Sequence, residues 1–498
     1  MASILRNVRL LALDGDEPKG LVDLAWEDGR ITALGESLPT TAADQVWDAQ
    51  GRWAMPGLWD AHTHFRSWAL GLTRLDLSGA ADADQVLALV RQRLGQPDLP
   101  EVLAGAGYRA SLWPVQPSVA ALDAVAGERP VILASGDGHS AWFDSAALRL
   151  FGLPPRDGVV QEGELFALAP RLWAQERQAG GDQPLRAAQE RAAAQGVVGI
   201  VDFEFEPTFL TWPERYARVG LLKVVCSTYP DDLDRAIGLG LATGQVLAGR
   251  DGGAGVVMGA LKIISDGSLN SRTAHCFQPY AGAGDLADPC GVQSVSEAEL
   301  GDLLRRATAA GLQVALHAIG DAAVAIAVDQ LTATGAAGTI EHAQLLRWED
   351  LPRLAATKVA ASVQPAHLLD DRQPTLRLWP DRTDRCFPRA ALGRAGVELR
   401  LGSDAPVSPL DPWLAMAAAV HRGDPDDPPW NPRQALTVRQ ALAASVRSRV
   451  AVGQPADVVL LDEDVLALDP DSAAAARRLR ATAVAATFVA GVPATPPW

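Results

Sequence analysis

Met55-Pro56-Gly57-Leu58-Trp59-Asp60-Ala61-His62-Thr63-His64-Phe65 is a short apolar run that ends in two histidines. Seven further stretches share its design: Val197–Asp202, Leu221–Ser227, Gly259–Ser265, Leu312–His317, Thr339–His342, Lys358–Gln364 and Val397–Ser403. Each is nearly continuous in apolar residues and closes on polar ones, and Ala/Leu-rich helical stretches separate them. Strands buried on both faces read this way, and helices between them imply parallel pairing. Eight such units predict an α/β fold, a (β/α)8 TIM barrel. One gap is far too long for a single helix. It predicts an insertion of about 66–190 after the first barrel strand, with extra elements near Val102–Tyr108 and Val131–Ala134.

The two ends of the chain read differently. Ile4–Leu13, Leu21–Trp26 and Arg30–Leu34 are short β runs separated by Gly and Asp, and Ala456–Asp462 and Thr482–Val489 resemble them. Residues 1–55 and 440–498 are therefore expected to form one small β-sandwich-like domain, with the barrel at 56–439.

Composition narrows the function. Over 498 residues, 48% are hydrophobic and 21% charged, an ordinary globular balance. The net charge of −16 argues against nucleic acid or an anionic membrane as partner. Cys226, Cys276, Cys290 and Cys386 form no C-x-x-C pair, so neither a disulfide scaffold nor a zinc ribbon is expected. The first residues lack the apolar core of a signal peptide, and no stretch is long enough to span a bilayer. The expectation is a reduced, cytoplasmic protein with a small-molecule substrate; homo-oligomerisation stays open. Nucleophile elbow, phosphate loop and dinucleotide fingerprint are all missing from the sequence.

Most of the chemistry sits where barrel enzymes keep it, at C-terminal strand ends. His62 and His64, at i and i+2 on one strand, point to one face. Lys262 lies on the fourth run, His317 ends the fifth, His342 the sixth and Asp404 the eighth. Each has a plainer reading alone. Two close histidines can be a surface pair, a single histidine is usually a satisfied core residue, and Asp after Gly-Ser often caps a turn. Four histidines, an aspartate and a buried lysine at five strand ends are hard to explain as separate accidents. Imidazole with carboxylate suits zinc and similar divalent ions. Lys262 is notable for a further reason. Only 4 of 44 basic residues are lysine, so a lysine inside an apolar strand survives where arginine would not serve.

At these residues the chain resembles the amidohydrolase superfamily, in the branch that includes N-substituted formamide deformylase. The resemblance runs over nearly the whole length. Its marks are Pro56-Gly57-Leu58 with Asp60, His62 and His64; Leu261-Lys262-Ile263-Ile264-Ser265-Asp266-Gly267-Ser268-Leu269; His317-Ala318-Ile319-Gly320-Asp321; Ile340-Glu341-His342-Ala343-Gln344; Ser362-Val363-Gln364-Pro365; Leu401-Gly402-Ser403-Asp404-Ala405-Pro406; and Gly453-Gln454-Pro455-Ala456-Asp457. It implies a hydrolase of carbon–nitrogen bonds other than peptide bonds, with one or two divalent ions, zinc first. His62, His64 and Asp404 would hold one ion, and His317 and His342 the other. Lys262 would bridge them as a carbamate. A metal-activated hydroxide would attack the carbonyl carbon, and Asp404 would shuttle the proton to the leaving nitrogen.

The resemblance has departures and rivals. Ser445–Gly453 is short where the family has a longer helix and loop. Phe203-Glu204-Phe205-Glu206 is unusually acidic; a solvated loop is the plainer reading, a ligand or substrate contact the other. For the substrate, the candidates are His139 (also the reserve catalytic base), Trp142, Arg272 and Gln364. Trp68 and Trp113 are read, with Trp142, either as walls of an apolar pocket or, more plainly, as core, and His367 as a residue that orders water. An N-acyl or N-formyl amine, a carbamate or a related amide is the expected substrate. A deaminase, an esterase or lactonase, or a non-catalytic relic are the alternatives.

Overall fold

A computed structural model describes residues 2–495 apart from 14, 16–19, 43, 98, 109, 111–112, 137–139, 162–163, 166–167, 169–170, 172–181, 251–252, 285 and 468–470. The candidate His139 lies outside the described residues. The chain divides into two compact units, residues 1–67 with 188–498, and residues 68–187.

The larger unit is built on eight parallel strands. These are β1 (Leu58–Thr63), β2 (Val197–Asp202), β3 (Lys223–Thr228), β4 (Gly253–Ile264), β5 (Gln313–Ala318), β6 (Gly338–His342), β7 (Val359–Val363) and β8 (Leu399–Leu401). They pair in chain order. The ends of the sheet meet through a parallel bridge of Thr63 with Ala405, and through the Asp404 N–H on the His62 carbonyl at 2.7 Å. That nearly closes the barrel. All eight apolar runs are strands, because a two-sided burial leaves no polar position to break the pattern; β2 and β7 are buried at every residue. The fourth strand begins earlier than its apolar run. It carries an antiparallel partner, Val246–Arg250, before entering the barrel.

A close approach sets the start of the first strand. Gly57 lies where a Cβ would come within 2.3 Å of Val198. It joins β1 to Trp53–Pro56, a strand of a second sheet in the same unit. That sheet has eight strands drawn from residues 3–56 and 458–493, with Trp53–Pro56 antiparallel to Val458–Leu461. Leu5, Leu24, Trp26, Val458, Leu460 and Phe488 form its core, so both chain termini contribute to one apolar layer.

The smaller unit holds a five-stranded sheet that includes Leu103–Tyr108 and Val131–Ser135, where extra elements were expected. Its core contains Trp113 and Trp142. Trp142 is 0% exposed and donates its indole N–H to the Ser118 carbonyl at 2.8 Å. The side chain proposed from sequence as a substrate contact thus has no free face, and its burial is that of a packing residue. Among the described residues, no helix is long and apolar enough to cross a membrane.

Candidate metal centre

The strand ends deliver their imidazoles to one carboxylate. Asp404 Oδ1 lies 3.4 Å from His62 Nε2 and 3.4 Å from His64 Nε2. Its other oxygen lies 3.7 Å from His367 Nε2. Two groups of donors therefore share Asp404: His62 and His64 in one, His342 and His367 in the other, each with donor atoms within 4.8 Å of one another. The His62 and His342 ring centroids are 5.0 Å apart, and those of His317 and His342 4.5 Å.

Backbone conformation contributes to the convergence. His342, Ala343 and Asp404 have φ of 72°, 44° and 59°. Non-glycine residues avoid this left-handed region, at a cost of roughly 1–3 kcal/mol each, and where they occupy it the surroundings over-determine them. At Asp404 the surroundings are visible. Asp60 Oδ1 accepts the N–H groups of His62 at 3.1 Å and Ser403 at 2.9 Å, tying β1 to the end of β8. Burial pushes the Asp60 carboxyl up to about 6.

The lone pairs are aimed by neighbours. His62 Nδ1 lies 2.7 Å from Glu341 Oε2, so its N–H donates there and Nε2 is left facing Asp404 and Lys262. Burial alone would raise the Asp404 carboxyl. The imidazoles of His62, His64 and His342 beside it work the other way, and the group is held below the usual carboxylate range. Burial lowers His62 and His342, and takes His317 down to about 3. Neutral imidazoles and an ionised carboxylate are the forms that ligate metal.

Lys262 is 2% exposed. Its Nζ lies 3.3 Å from His62 Nε2 and 4.4 Å from the Phe203 ring centroid. Burial lowers its pKa, against the pull of Glu341 and Asp404. Asp266, the nearest acid in sequence, is engaged elsewhere. It accepts backbone N–H groups from His275 at 2.9 Å, Ile319 at 3.0 Å and Gly320 at 2.8 Å.

The donor set fits a divalent ion. Nδ1 of His64, Nδ1 of His342 and Nε2 of His367 are buried without a hydrogen-bond partner, and orphaned imidazole nitrogens beside a carboxylate form a metal-ligand set. His317 sits at the edge of this set. Its Nε2 lies 3.3 Å from the Gly267 carbonyl oxygen and 3.5 Å from Asp266.

Other sequence candidates take varied places. Gln364 is 3% exposed, with its Nε2 3.4 Å from His62 Nδ1. It lines a pocket with His342, His367 and Arg389. Arg272 is half-buried in the loop after β4 at φ 56° and is not among that pocket's residues. The acidic stretch is not a solvated loop. Glu204 is 7% exposed and accepts the Ser67 N–H at 2.7 Å, and Glu206 pairs with Arg66 at 3.0 Å and with Arg215. Neither belongs to the donor groups around Asp404. The aromatic half of that stretch touches the centre instead: Phe205 stacks on His64 at 4.8 Å.

Two residues gained importance that their sequence context did not disclose. Glu341 precedes His342, so strand alternation puts it on the opposite face; the left-handed turn at His342 breaks the alternation and lets both reach His62. His367 begins a helix, His367–Leu378, three residues beyond Gln364. Its Gln-Pro-Ala-His context shows a mouth residue but not a neighbour of Asp404.

Gly402 offers a test of this packing. A Cβ there would lie 2.7 Å from the His62 nitrogen and 3.0 Å from its Cβ. Gly402→Ala is expected to destabilise the fold by about 1–3 kcal/mol and to displace His62. Thermal melting and metal titration of the variant would register both effects; an unchanged melting temperature with unchanged metal affinity would contradict the geometry.

The chain is similar to known proteins over most of its length. The chain is 24% identical over 514 residues to N-substituted formamide deformylase of Arthrobacter pascens, covering 93% of each. It is 28% identical over 468 residues to protein LONG AFTER FAR-RED 3 of Arabidopsis thaliana, covering 85% of this chain and 79% of that one. Among solved structures, an uncharacterised metal-dependent hydrolase of Pyrococcus horikoshii OT3 superposes with a TM-score of 0.80 at 25% identity, over 94% of this chain and 99% of that one. Residues 45–494 match the amidohydrolase family, and the chain belongs to it.

Proposed function

We propose that this hydrolase cleaves a non-peptide carbon–nitrogen bond, in an N-acyl or N-formyl amine, a carbamate or a related amide, with divalent metal held at the Asp404 cluster. The observation that carries the reading is the pair of imidazole groups that share the Asp404 carboxylate. His62, His64 and Asp404 would hold one ion, and His342 with His317 or His367 a second, zinc being the first candidate. When bound, such an ion polarises a carbonyl and lowers the pKa of a water.

The chain's own groups do the rest. Glu341 fixes the tautomer of His62 and keeps its Nε2 turned inward. Asp404, ionised within its ring of imidazoles, accepts the proton of the attacking water on a carboxylate oxygen. It then returns that proton to the leaving nitrogen, so the amine departs neutral. Lys262 Nζ, whose pKa burial lowers, would react through its neutral form, adding to the carbon of CO2 and losing a proton. The product would be a carbamate anion, an oxygen ligand for metal among the buried imidazoles. Arginine cannot form it, which accounts for a lysine at this position.

A substrate panel tests the reading. Chelator-treated protein reloaded with zinc, manganese or cobalt is expected to hydrolyse one class among formamides, acyl amines and carbamates, and to carry roughly one to two metal equivalents. Elemental analysis without metal, and no activity on reloading, would reject it. Turnover only of esters or aminated purines would keep the metal and move the bond.

A further inference from the structure

One buried carboxylate has no part in the chemistry above. Asp371 lies in the helix His367–Leu378, one turn beyond His367, and is 9% exposed. Residues four apart on a helix share a face. Oδ1 of Asp371 accepts an N–H of the Asn270 side chain at 2.8 Å, and Oδ2 accepts one of the Gln344 side chain at 3.2 Å. Asn270 is exposed, in the loop after β4. Gln344 is 3% exposed, in the loop after β6. The helix that carries Asp371 follows β7. A single carboxylate thus ties together the segments that leave three of the barrel strands.

Each of these segments reaches one imidazole outside the His62–His64 pair. His317 Nε2 lies 3.3 Å from the carbonyl oxygen of Gly267, in the same loop as Asn270. His342 closes β6 just before Gln344. His367 begins the helix of Asp371. The turn between His342 and Gln344 is strained, with His342 at φ 72° and Ala343 at φ 44°. Residues other than glycine hold that conformation only where the surroundings over-determine them. Part of the hold is backbone: the Ala343 N–H meets the Ala318 carbonyl at 3.1 Å, and the Phe387 N–H meets the Gln344 carbonyl at 2.6 Å. The side-chain part is Gln344 on Asp371. His62 and the end of β8 have their own tie in Asp60, so two different carboxylates brace the two sides of the centre.

We propose that Asp371 is a positioning residue that locks the loop after β4, the left-handed turn after β6 and the helix after β7 in the arrangement that gathers His317, His342 and His367. Its hydrogen bonds carry this role, and its charge does not. Asparagine can keep both links. Its oxygen accepts from one amide, and its own N–H donates to the other once that amide turns over, because a side-chain amide offers both donor and acceptor. Leucine, close in shape, keeps neither. A second ion on this side rests on the function proposed above; the locking of three segments rests on the contacts of Asp371 alone.

Two measurements that start from metal-free protein test the proposal. In hydrogen exchange, Asp371→Leu is expected to speed exchange of the amides at 268–274 and 342–345 and to leave 60–64 unchanged, while Asp371→Asn matches the wild type. Cobalt(II) titration, followed by visible absorption, reads the ligands. In a protein that takes two ions, Asp371→Leu should weaken one of them about 10- to 100-fold, as expected when the support behind a metal ligand is removed, and spare the other. Unchanged exchange in both segments overturns the proposal, and so does an asparagine variant that behaves as the leucine one. So does equal weakening of both ions, which a general loss of stability would produce, or weakening of neither. A wild type that takes one ion refutes the second-ion reading alone, and hydrogen exchange then decides the proposal. If Asp371→Leu does not fold, judged by circular dichroism, Asn270→Ala takes its place, since it cuts one link at an exposed side chain. Faster exchange at 342–345 in that variant upholds the lock, and a change confined to 268–274 overturns it.

Discussion

Asp404→Asn is expected to lower kcat/KM by roughly 10³- to 10⁴-fold while leaving the fold intact. The loss follows from two roles at one side chain. Proton transfer by a positioned carboxylate is worth about 10²–10⁴ in rate, and the same group stands in both donor clusters. A tenfold change is about 1.4 kcal/mol of barrier. The intact fold follows from the backbone. Asp404 sits at φ 59°, a region that asparagine tolerates and most other residues do not. Asp404→Ala should therefore lose stability as well as activity, and asparagine is the cleaner probe. Steady-state kinetics with a melting curve separates the two effects. Near-normal turnover of Asp404→Asn would show that another group moves the proton.

The second large effect is expected at Lys262. Lys262→Ala should be nearly inactive and bind less metal, with partial recovery on adding acetate or propionate, whose carboxylate can occupy the place of the carbamate. Lys262→Met keeps the apolar stem and removes the amine. Because Asp266 is engaged by backbone N–H groups and not by Lys262, the metal-free Lys262→Met protein should melt at or above the wild-type temperature. A structural ion pair predicts the opposite, since breaking a buried pair is strongly destabilising. A destabilised metal-free methionine variant together with undiminished metal content in the alanine variant would remove Lys262 from the metal centre.

The barrel was readable because burial on both faces writes a strand as an unbroken apolar run, and eight such runs survive in the sequence. The antiparallel strand Val246–Arg250 was not, since its pairing depends on a hairpin with β4 and not on any periodicity. His62, His64, His342 and Asp404 were legible for the same reason as the strands: each closes an apolar run. Glu341 was hidden by the alternation rule that the left-handed His342 breaks. His367 lies on a helix beyond the strand ends, where its approach to the centre depends on loop paths. The acidity of Glu204 and Glu206 suggested solvent, yet their partners Ser67, Arg66 and Arg215 come from other segments and could not be seen locally. The left-handed φ of Asp404 is likewise a product of β1 and the end of β8 meeting through Asp60.

Anomalous diffraction from crystals of zinc-loaded protein, recorded on both sides of the zinc absorption edge, tests the central claim most directly. The account predicts a peak coordinated by His62, His64 and Asp404, and, in a two-metal enzyme, a second beside His342 with added density on Lys262 Nζ reaching toward both. Zinc bound only elsewhere, with the imidazoles around Asp404 left bridged by water, would contradict it.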